Sequence, residues 1–563
     1  MRSNDASATP PPGLPRPVAA TIPSWWRALV DAHGGREAAR MDGRSLTYRD
    51  LDRRSADLAR GLLARGVGKG TRIGLLAPNS PEWIIAWLAA GRIGALLIGV
   101  STFFSPRELN YALRHADIAV LLAAPGYLRH DYADRLEQAV PSLAAASGAA
   151  PLALLDCPHL RAVWFNGPVD RRWAAGTFAD LETAGAASSV FTDAFLDAIE
   201  DAVSPADRAL VIYTSGSTAY PKGVIHTQGG VVRKTLFMCE GNGIIPSNTR
   251  LGDCVLMASP MFWVGGLLSL TGGLTLGAVS LCQDEHSPRA LLDAVAREGV
   301  THIVTQEAVL MLMRELEGEG GPLVGRLKSQ NTGQAPFFRR AEGVPRERIP
   351  LSLGMTETMG PHSGDNEGGL LPAGVENSVG PALAGVEYKI IDLETGRPAA
   401  PGEPGELCVR TPWQMDGMYK RERSEVFDAD GYYPTGDLCA LSADGYLFYK
   451  SRIGGMIKTS GANVSPEEVE IAIRGDAAVV EAAVLGLPDR ELGQRVVAVV
   501  ALAPGASRTE AQVRERLRGE LSAFKVPRRV FFMAHENIPR TASNKVRKPA
   551  LAELIKGWLA ASP

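Results

Sequence analysis

The chain has 563 residues, of which 45% are hydrophobic and 21% are charged, and this is the composition of an ordinary globular protein. One compact domain rarely exceeds about 300 residues, so we expect at least two domains. The 59 basic and 62 acidic side chains give a net charge of −3 without a basic block, which argues against a nucleic-acid partner. The six cysteines form no C-x-x-C pair, which argues against a disulfide framework or a zinc site and favours reduced thiols in a cytoplasmic protein.

The first part of the chain alternates helix signals with short β-rich runs. Residues 1–20 lack the apolar core of a signal peptide, so we expect a disordered leader. Thr47 is the predicted N-cap of a helix that ends by Gly66, and a strand is predicted over residues 72–77. The apolar stretch 83–100 contains an arginine and three glycines, which favours a core helix followed by a strand over a membrane span.

The same alternation continues and predicts a largely parallel α/β architecture. Ser287 and Pro288 open a predicted helix that ends near Gly299, and a buried strand is predicted over residues 301–305. We therefore predict a large N-terminal domain over residues 21–452, with layered mixed sheets and flanking helices.

A small, mobile α+β domain is predicted over residues 456–563, because helix and strand signals alternate there on a shorter scale. Ser465 and Glu468 form a predicted capping box that opens its first helix. Two strands are then predicted over residues 479–486 and 496–502.

The densest functional signal is the segment 211–224, VIYTSGSTAYPKGV, in which a β-rich run enters a loop of hydroxyl side chains, glycines and a lysine. Glycines let backbone N–H groups converge on an anion, and the hydroxyls and Lys222 add donors and positive charge. The segment is not a Walker A motif, because Pro221 and Gly223 stand where that motif requires a glycine and a hydroxyl residue. The pattern predicts a polyphosphate-binding loop, with a solvated linker as the alternative.

This loop resembles the signature loop of the adenylate-forming superfamily, which comprises acyl- and aryl-CoA synthetases, peptide-synthetase adenylation domains and beetle luciferases. The family form is YTSGTTGxPKGV, and the chain departs from it at Ser217 and Ala219. The resemblance implies that Thr218 and Lys222 act in catalysis. It also implies contacts to ATP or AMP from Thr214, Ser215, Gly216, Ser217, Thr218 and Lys222.

Two further segments resemble motifs of the family's nucleotide site. Residues 353–357 are similar to its aromatic-GMTE motif, in which the glutamate coordinates Mg²⁺, a hard cation that prefers oxygen ligands. This implies a metal-binding and catalytic role for Glu357 and nucleotide contacts from Leu353, Gly354, Met355 and Thr356. Residues 332–336 are similar to the GGAP segment. This implies nucleotide contacts from Gly333, Gln334 and Ala335 and an acyl-pocket contact from Thr332.

The remaining nucleotide-site motifs follow in the family's order toward the C-terminus. Asp437 lies in a TGDL-like segment and is expected to bind the ribose hydroxyls, and Arg452 is expected to contact the same nucleotide. Gly454 stands at the family's hinge position, within a predicted hinge at 453–455. Lys545 lies in a segment similar to PxTxSGK, and the resemblance implies that it bridges the carboxylate and the phosphate during adenylation. The face that would shape the thiol tunnel consists of Lys458, Ser460 and Gly461.

The acid is predicted from residues 259–266, which resemble a segment whose family form is PxFHxxG. Phe262, Trp263 and Gly265 are expected to line the acyl pocket, with Trp263 at the usual histidine position and a core tryptophan as the alternative. The segment contains no aspartate to pair with an α-ammonium, and no carrier domain follows in the chain, which disfavours a peptide-synthetase module. The apolar neighbourhood favours a hydrophobic acid, whether aliphatic, aryl or alicyclic.

These resemblances imply an ATP-dependent acid–thiol ligase, in which a small-molecule carboxylate attacks ATP to give acyl-AMP and a thiol then displaces AMP. The implied cofactors are ATP, Mg²⁺ and coenzyme A, and a carrier-protein thiol or a homodimer are further partner alternatives. Departures from the family pattern leave open an enzyme that is weak in adenylation and uses a supplied acyl-adenylate. They are Ala219, Gln334, Leu353, Gly454 and Asn544. A non-catalytic regulator that binds acyl-AMP or a nucleotide is the alternative from another class.

Overall fold

The fold was analysed in a computed structural model, which describes most of the chain. The described residues are 21–148, 151–214, 221–242, 249–305, 307–318, 321–327, 329–331, 336–337, 352–364, 371–453, 455–540 and 546–561. The predicted leader and several predicted site residues therefore lie outside the described residues. These are Ser215, Gly216, Ser217, Thr218, Ala219, Thr332, Gly333, Gln334, Ala335, Gly454, Asn544 and Lys545.

Helices are distributed along the whole described chain. They are α1 (Ile22–His33), α2 (Tyr48–Leu63), α3 (Pro81–Arg92), α4 (Pro106–His115), α5 (Tyr132–Ala139), α6 (Phe178–Ala186), α7 (Asp193–Asp201), α8 (Gln228–Phe237), α9 (Val264–Thr275), α10 (Pro288–Arg297), α11 (Glu307–Glu317), α12 (Leu323–Arg326), α13 (Pro466–Arg474), α14 (Glu510–Glu520) and α15 (Lys548–Ala561). Within the described ranges, none of them combines the length and the apolar character that a bilayer span requires.

The strands alternate with these helices. They are β1 (Glu37–Met41), β2 (Arg44–Thr47), β3 (Arg72–Leu76), β4 (Leu96–Gly99), β5 (Val120–Ala123), β6 (Gly126–Tyr127), β7 (His130–Asp131), β8 (Ala162–Phe165), β9 (Gly176–Thr177), β10 (Arg208–Thr214), β11 (Lys222–Thr227), β12 (Cys254–Leu256), β13 (Val279–Leu281), β14 (His302–Val304), β15 (Ser329–Asn331), β16 (Pro336–Phe337), β17 (Gly354–Met355), β18 (Gly360–Pro361), β19 (Glu387–Ile391), β20 (Pro404–Arg410), β21 (Gly417–Met418), β22 (Tyr433–Leu441), β23 (Leu447–Arg452), β24 (Ile457–Thr459), β25 (Ala462–Val464), β26 (Val479–Asp489), β27 (Gly493–Leu502) and β28 (Arg529–Phe532).

The described ranges of the large part of the molecule, residues 21–453, contain two wide mixed sheets and three smaller ones. The smaller ones are a four-stranded sheet of order β19-β20-β22-β23 and the two-stranded pairs β6-β7 and β17-β18. The eight-stranded sheet has the order β21-β11-β10-β4-β3-β5-β8-β9, and the seven-stranded sheet has the order β16-β15-β14-β12-β13-β1-β2. Strands β10, β4, β3, β5 and β8 pair in parallel, whereas β11 and β21 add antiparallel strands at one edge. Strands β3, β4 and β5 lie inside this sheet and are apolar and buried almost throughout, as is typical of parallel strands.

The C-terminal part, residues 455–561, has its own sheet and its own hydrophobic core. The sheet is built from β24 to β28, with β26 and β27 as its long antiparallel pair. Its buried apolar side chains form clusters separate from the main core of the large part. A layered α/β large part followed by a small α+β part is the predicted fold class, which is confirmed.

Local signals placed most of the predicted elements correctly. Thr47 caps α2 in a capping box with Asp50, and the stretch predicted as a core helix and strand is α3 followed by β4. The capping box predicted at the start of α13 is wrong for one of its two hydrogen bonds. The Ser465 side chain accepts from the Glu468 backbone N–H, but the Glu468 carboxylate turns away to bind Lys525.

Candidate active site

The Gly/Ser/Thr loop connects the two strands of a hairpin in the eight-stranded sheet. Thr214 ends β10, Lys222 begins β11, and these two residues are paired across the antiparallel ladder. Residues 211–213 and 223–226 are buried, so the hairpin is anchored in the core up to the point where the loop begins. The strand ladder thus places Lys222, which is half-buried, where the chain returns from the predicted phosphate loop to the sheet.

Glu357 lies on a tight turn between the short paired strands β17 and β18. A Cβ atom at Gly354 would lie 2.7 Å from backbone atoms of Pro361, so the close approach of the two strands requires glycine there. Two contacts fix the turn from the other side of the cleft. The Tyr433 hydroxyl donates to Glu357 Oε1 at 3.2 Å, and the Met415 N–H donates to the Glu357 carbonyl oxygen at 3.0 Å.

Asp437 and Arg452 face each other on neighbouring strands. They are paired in the register of β22 and β23, and Arg452 Nη1 donates to Asp437 Oδ1 at 2.8 Å. Asp437 is 4% exposed, whereas the Arg452 side chain is 30% exposed and reaches the cleft. Burial lowers the pKa of Arg452, but the Asp437 carboxylate outweighs this and the net shift is upward, so the guanidinium stays charged.

The charges of these three segments act on one another. Burial raises the pKa of Glu357, and the charges of Arg452 and Lys222 and the bond from Tyr433 act in the opposite direction. Burial lowers the pKa of Lys222, and the neighbouring Arg421 and Arg452 lower it further, whereas Glu357 raises it. Lys222 and Arg452 are thus cations near the Glu357 carboxylate, and Arg421 is a third cation near Lys222. A cleft of this kind is suited to a polyanion that carries a hard metal ion.

The residues present fit a magnesium ion only together with such a polyanion. Glu357 offers a carboxylate oxygen, which is the ligand type that Mg²⁺ prefers. Within the described ranges, no group of three or more His, Cys, Asp and Glu side chains could hold a metal ion without help. A magnesium ion at Glu357 would therefore take its other ligands from phosphate oxygens and water.

The predicted acyl segment is held in place by a polar clamp. The Asn79 amide donates to the carbonyl oxygens of Met257 and Ser259, both at 2.8 Å, and its oxygen accepts from the Met261 N–H at 2.7 Å. The clamp fixes the chain just before Phe262, which is 4% exposed, and Trp263, which is half-buried at the N-cap of α9. The half-exposed Trp263 is thus not a fully buried core tryptophan.

An aromatic cluster joins this segment to the C-terminal part. The rings of Phe103 and Phe262 have centroids 6.0 Å apart, and those of Phe103 and Trp263 are 5.9 Å apart. Phe103 also meets Phe524 of the C-terminal part edge-to-face at 6.2 Å. Phe103 therefore links the candidate acyl residues Phe262 and Trp263 to the C-terminal part.

Two family descriptions match the chain. Residues 26–419 match the family described as AMP-binding enzyme, and residues 468–545 match its AMP-binding enzyme C-terminal domain. The chain belongs to the AMP-binding enzyme family. This confirms the resemblance to the adenylate-forming superfamily. The matched regions contain the Gly/Ser/Thr loop, the segments at 332–336 and 353–357 and Lys545, whereas Asp437 and Arg452 lie between the two matches.

Individual relatives of this AMP-binding enzyme are distant but match along almost their whole length. The chain is 28% identical over 551 residues to the putative acyl-CoA synthetase YngI of Bacillus subtilis, covering 95% of this chain and 97% of the relative. It is 28% identical over 555 residues to the 3-hydroxybenzoate–CoA/4-hydroxybenzoate–CoA ligase of Thauera aromatica, covering 95% and 96%. The solved structure of the amide bond synthetase McbA from Marinactinospora thermotolerans superposes with a TM-score of 0.73 at 25% identity, covering 94% and 99%.

The remaining predicted residues of the AMP-binding enzyme lie in two places. Leu353 and Gly354 are at the start of the hairpin that carries Glu357, with Leu353 packed against the small hydrophobic cluster of the four-stranded sheet. Lys458, Ser460 and Gly461 form the exposed tip of the hairpin between β24 and β25. Ser460 (φ 47°) and Gly461 (φ 73°) both have left-handed backbone conformations, which gives the tip a fixed tight turn.

Sequence reasoning missed two residues that the structure brings to the site. Tyr433 stands just before the TGDL-like segment, and its bond to Glu357 is a long-range contact that the sequence does not reveal. Lys234 in α8 is fully buried, and its Nζ donates to the Pro361 carbonyl oxygen at 2.5 Å, directly behind the Glu357 hairpin. The sequence carries no signal for this contact, because Lys234 stands beside Arg233 in a helix of mixed polarity.

Proposed function

We propose that this AMP-binding enzyme is an ATP-dependent acid–thiol ligase, which converts a hydrophobic carboxylic acid to acyl-AMP and then to acyl-CoA. The observation that carries the proposal is the convergence of Lys222, Glu357 and Arg452 on one cleft, beside the buried carboxylate of Asp437. Lys222 and Arg452 can position and neutralise a nucleotide's phosphates, and Glu357 can hold the Mg²⁺ that accompanies them. Asp437 is the natural acceptor for ribose hydroxyls. Relatives named as acyl- and aryl-CoA ligases support the same chemistry.

In the first half-reaction, an oxygen of the acid attacks the α-phosphorus of ATP, and the bond to the β-phosphate oxygen breaks to release pyrophosphate. Lys222 and the loop that it follows would hold the phosphates in line, and Lys545 would stabilise the negative charge that develops during transfer. Mg²⁺, when bound at Glu357, would neutralise the phosphate oxygens. Asp437, held by Arg452, would fix the ribose and hence the position of the α-phosphate.

In the second half-reaction, a thiolate attacks the acyl carbon, and the bond to the AMP oxygen breaks. We assign the exposed hairpin tip with Lys458, Ser460 and Gly461 to the face that guides the thiol. This requires the tip to approach the cleft, and Gly455 (φ 72°), within the predicted hinge, has the backbone freedom of a glycine to allow such a rotation.

The acid is proposed to be hydrophobic because its candidate pocket is aromatic. Phe262 and Trp263 lie in the segment fixed by Asn79, and both pack against Phe103. Pockets of this kind bind apolar groups and use few polar contacts for orientation. The matched relatives named for hydroxybenzoates and the putative acyl-CoA synthetase fall within this range of acids.

The test is a pyrophosphate-release screen over aliphatic, aryl and alicyclic acids, with and without CoA. We expect release with an apolar acid and acyl-CoA formation when CoA is added. An amine arm belongs in the screen, because a similar solved structure is an amide bond synthetase. Thioester formation from synthetic acyl-AMP without pyrophosphate release would favour the enzyme weak in adenylation. Binding of acyl-AMP without either reaction would favour the regulator.

A matched pair of variants tests the residue roles. Lys545→Ala is expected to abolish pyrophosphate release and to leave thioesterification of synthetic acyl-AMP largely intact, because its charge serves only the first half-reaction. Lys556→Ala is the control, since Lys556 is a half-exposed lysine of α15 that pairs, within the described ranges, only with Glu553. If both half-reactions of the Lys545 variant match those of the control, the role given to Lys545 is wrong.

A further inference from the structure

A buried charge cluster joins the two parts of the molecule. Lys525 of the C-terminal part donates to Glu108 Oε1 of α4 at 2.6 Å and to Glu468 Oε1 of α13 at 2.8 Å. The Ser522 hydroxyl donates to Glu108 Oε2 at 2.6 Å. The three charged side chains are 3% to 6% exposed. We call these four residues the interdomain cluster.

The interdomain cluster is charged, although apolar side chains could be buried in the same place at a lower cost in free energy. Burying a charge costs several kcal/mol unless an opposite charge and good hydrogen bonds compensate. Burial lowers the pKa of Lys525, but Glu108 and Glu468 outweigh this and the net shift is upward, so it stays an ammonium. Glu468 gives up its capping box for this contact, and its second oxygen has no partner within the described ranges. The N-terminus of α13 thus lacks one capping hydrogen bond, and the Glu468 carboxylate binds Lys525, which also binds Glu108.

The cluster lies at the centre of the contact between the two parts. Arg107, next to Glu108, pairs with Glu520 at 2.6 Å, and Phe103 meets Phe524 edge-to-face. The C-terminal residues of this contact, 520–525, form one short segment that begins with the last residue of α14. The large-part residues, 103–108, form another at the start of α4.

The orientation can be judged from which side of the C-terminal part faces the cleft. A cavity of about 340 Å³ between the two parts is lined by Pro221, which precedes Lys222, and by Ile471 and Ala472 of α13. Helix α13 follows directly after the hairpin that carries Lys458. The tip of this hairpin also faces the large part, because the Ser460 N–H donates to the Leu492 carbonyl oxygen and Arg490, two residues before Leu492, pairs with Glu315 of α11.

The residues around the sequence position of Lys545 are engaged elsewhere. Arg540 pairs with Glu481, and Lys548 pairs with Glu470 at 2.8 Å, and all four belong to the C-terminal part. These pairs hold the flanks of the terminal motif on their own part of the molecule.

We infer that Glu108 and Lys525 are positioning residues that hold the C-terminal part in the orientation for thiol transfer. The inference rests on the proposed two-step function. The ammonium of Lys525 remains paired with Glu468 when the parts separate, so that only the bonds to Glu108 must be exchanged for water. The cluster can then be made and broken in each cycle.

The test compares Glu108→Gln with Glu468→Gln. Both variants remove one carboxylate from Lys525, but only the first removes a charge that joins the two parts. We expect Glu108→Gln to lower thioesterification of synthetic acyl-AMP by about 10- to 100-fold, the effect of one charged hydrogen bond on the population of the docked state. Pyrophosphate exchange should be unchanged or faster. For Glu468→Gln, both half-reactions should stay within about twofold of the parent.

A second measurement needs no substrate. Limited proteolysis of the full chain near residues 453–455 should be faster for Glu108→Gln than for Glu468→Gln, because undocking exposes the connection between the parts. Phe524→Ala removes the neighbouring aromatic contact and serves as a second undocking variant if Glu108→Gln fails to fold. Equal effects of Glu108→Gln on both half-reactions, or equal proteolysis of the two glutamine variants, would overturn the inference. If the parent enzyme catalyses neither half-reaction, the proposed function fails, and the proteolysis comparison still decides the docking role.

Discussion

Lys234 is the most informative single residue to replace, because it is a buried ammonium without a counter-ion. It is 0% exposed and donates to the Pro361 carbonyl oxygen at 2.5 Å, and its Nζ lies 4.2 Å from the centroid of the Trp413 ring. No carboxylate within the described ranges forms an ion pair with it. Burial lowers the pKa of Lys234 to about 7.

The sign and size of its effect on stability follow from this pKa. The unfolded chain holds the lysine proton up to about pH 10.5, whereas the folded protein releases it near pH 7, so stability should rise with pH across this window. The difference between these two pKa values corresponds to at most about 5 kcal/mol in the free energy of unfolding. Lys234→Met keeps the stem and removes the charge, while losing the bond to Pro361 costs about 1 kcal/mol. We expect the variant to be about 2–4 kcal/mol more stable than the parent at about pH 6, with the gain vanishing near pH 9.5.

The assay is unfolding by urea at about pH 6 and about pH 9.5, at one ionic strength, followed by tryptophan fluorescence and checked by calorimetry. Lys69→Met is the control, because Lys69 is half-exposed and its pair with Asp207 is near the surface. Its effect on stability should be small at both pH values. A Lys234→Met variant that is less stable than the parent at pH 6, or equally shifted at both pH values, would refute the reasoning.

Three further outcomes are expected from replacements in the cleft. Tyr433→Phe removes the bond to Glu357 and should raise the Mg²⁺ concentration for half-maximal pyrophosphate exchange by about tenfold; an unchanged Mg²⁺ dependence would remove Tyr433 from the site. Arg452→Gln leaves the buried Asp437 without its cation and should raise KM for ATP by about 10- to 100-fold, while an unchanged KM would count against the ribose assignment. Trp263→Ala should raise kcat/KM for bulkier acids relative to smaller ones by about tenfold, measured in parallel on an acid panel; an unaltered ranking would place Trp263 outside the acyl pocket.

Local chemistry explains why much of the fold was predictable from the sequence. Thr47 caps α2 through its own hydroxyl and Asp50, and this bond is formed within four residues. The order of the strands is not local in the same way. Strand β10 lies beside β4, more than a hundred residues earlier in the chain, and neither apolar run contains a signal for the other. The alternating pattern therefore gives the α/β class, while the sheet order comes only from the folded chain.

The same difference between local and long-range contacts applies to the candidate site. Lys222, Glu357 and Asp437 could be predicted because each lies in a short motif with a chemical use. The residues that hold them in place, Tyr433 and Lys234, could not be predicted, because neither shows in the sequence which distant residue it contacts. The failed capping box shows this directly: Glu468 has the correct local spacing, but Lys525, 57 residues later, offers its carboxylate a stronger partner in a place without water.

The charged character of the interdomain cluster follows from what the contact has to do. Arg92 forms a comparably buried pair with Glu200, and both residues lie in the large part, where the pair joins helices that stay packed together. The pair between Glu108 and Lys525 joins two separate hydrophobic cores. An apolar contact of the same size would gain free energy from every exposed square ångström it covers and would resist separation. Charged groups regain their hydration when the parts separate, so the net cost of opening is small. Under the proposed two-step function, a contact that must form once and break once in each turnover is better made of ions than of apolar side chains.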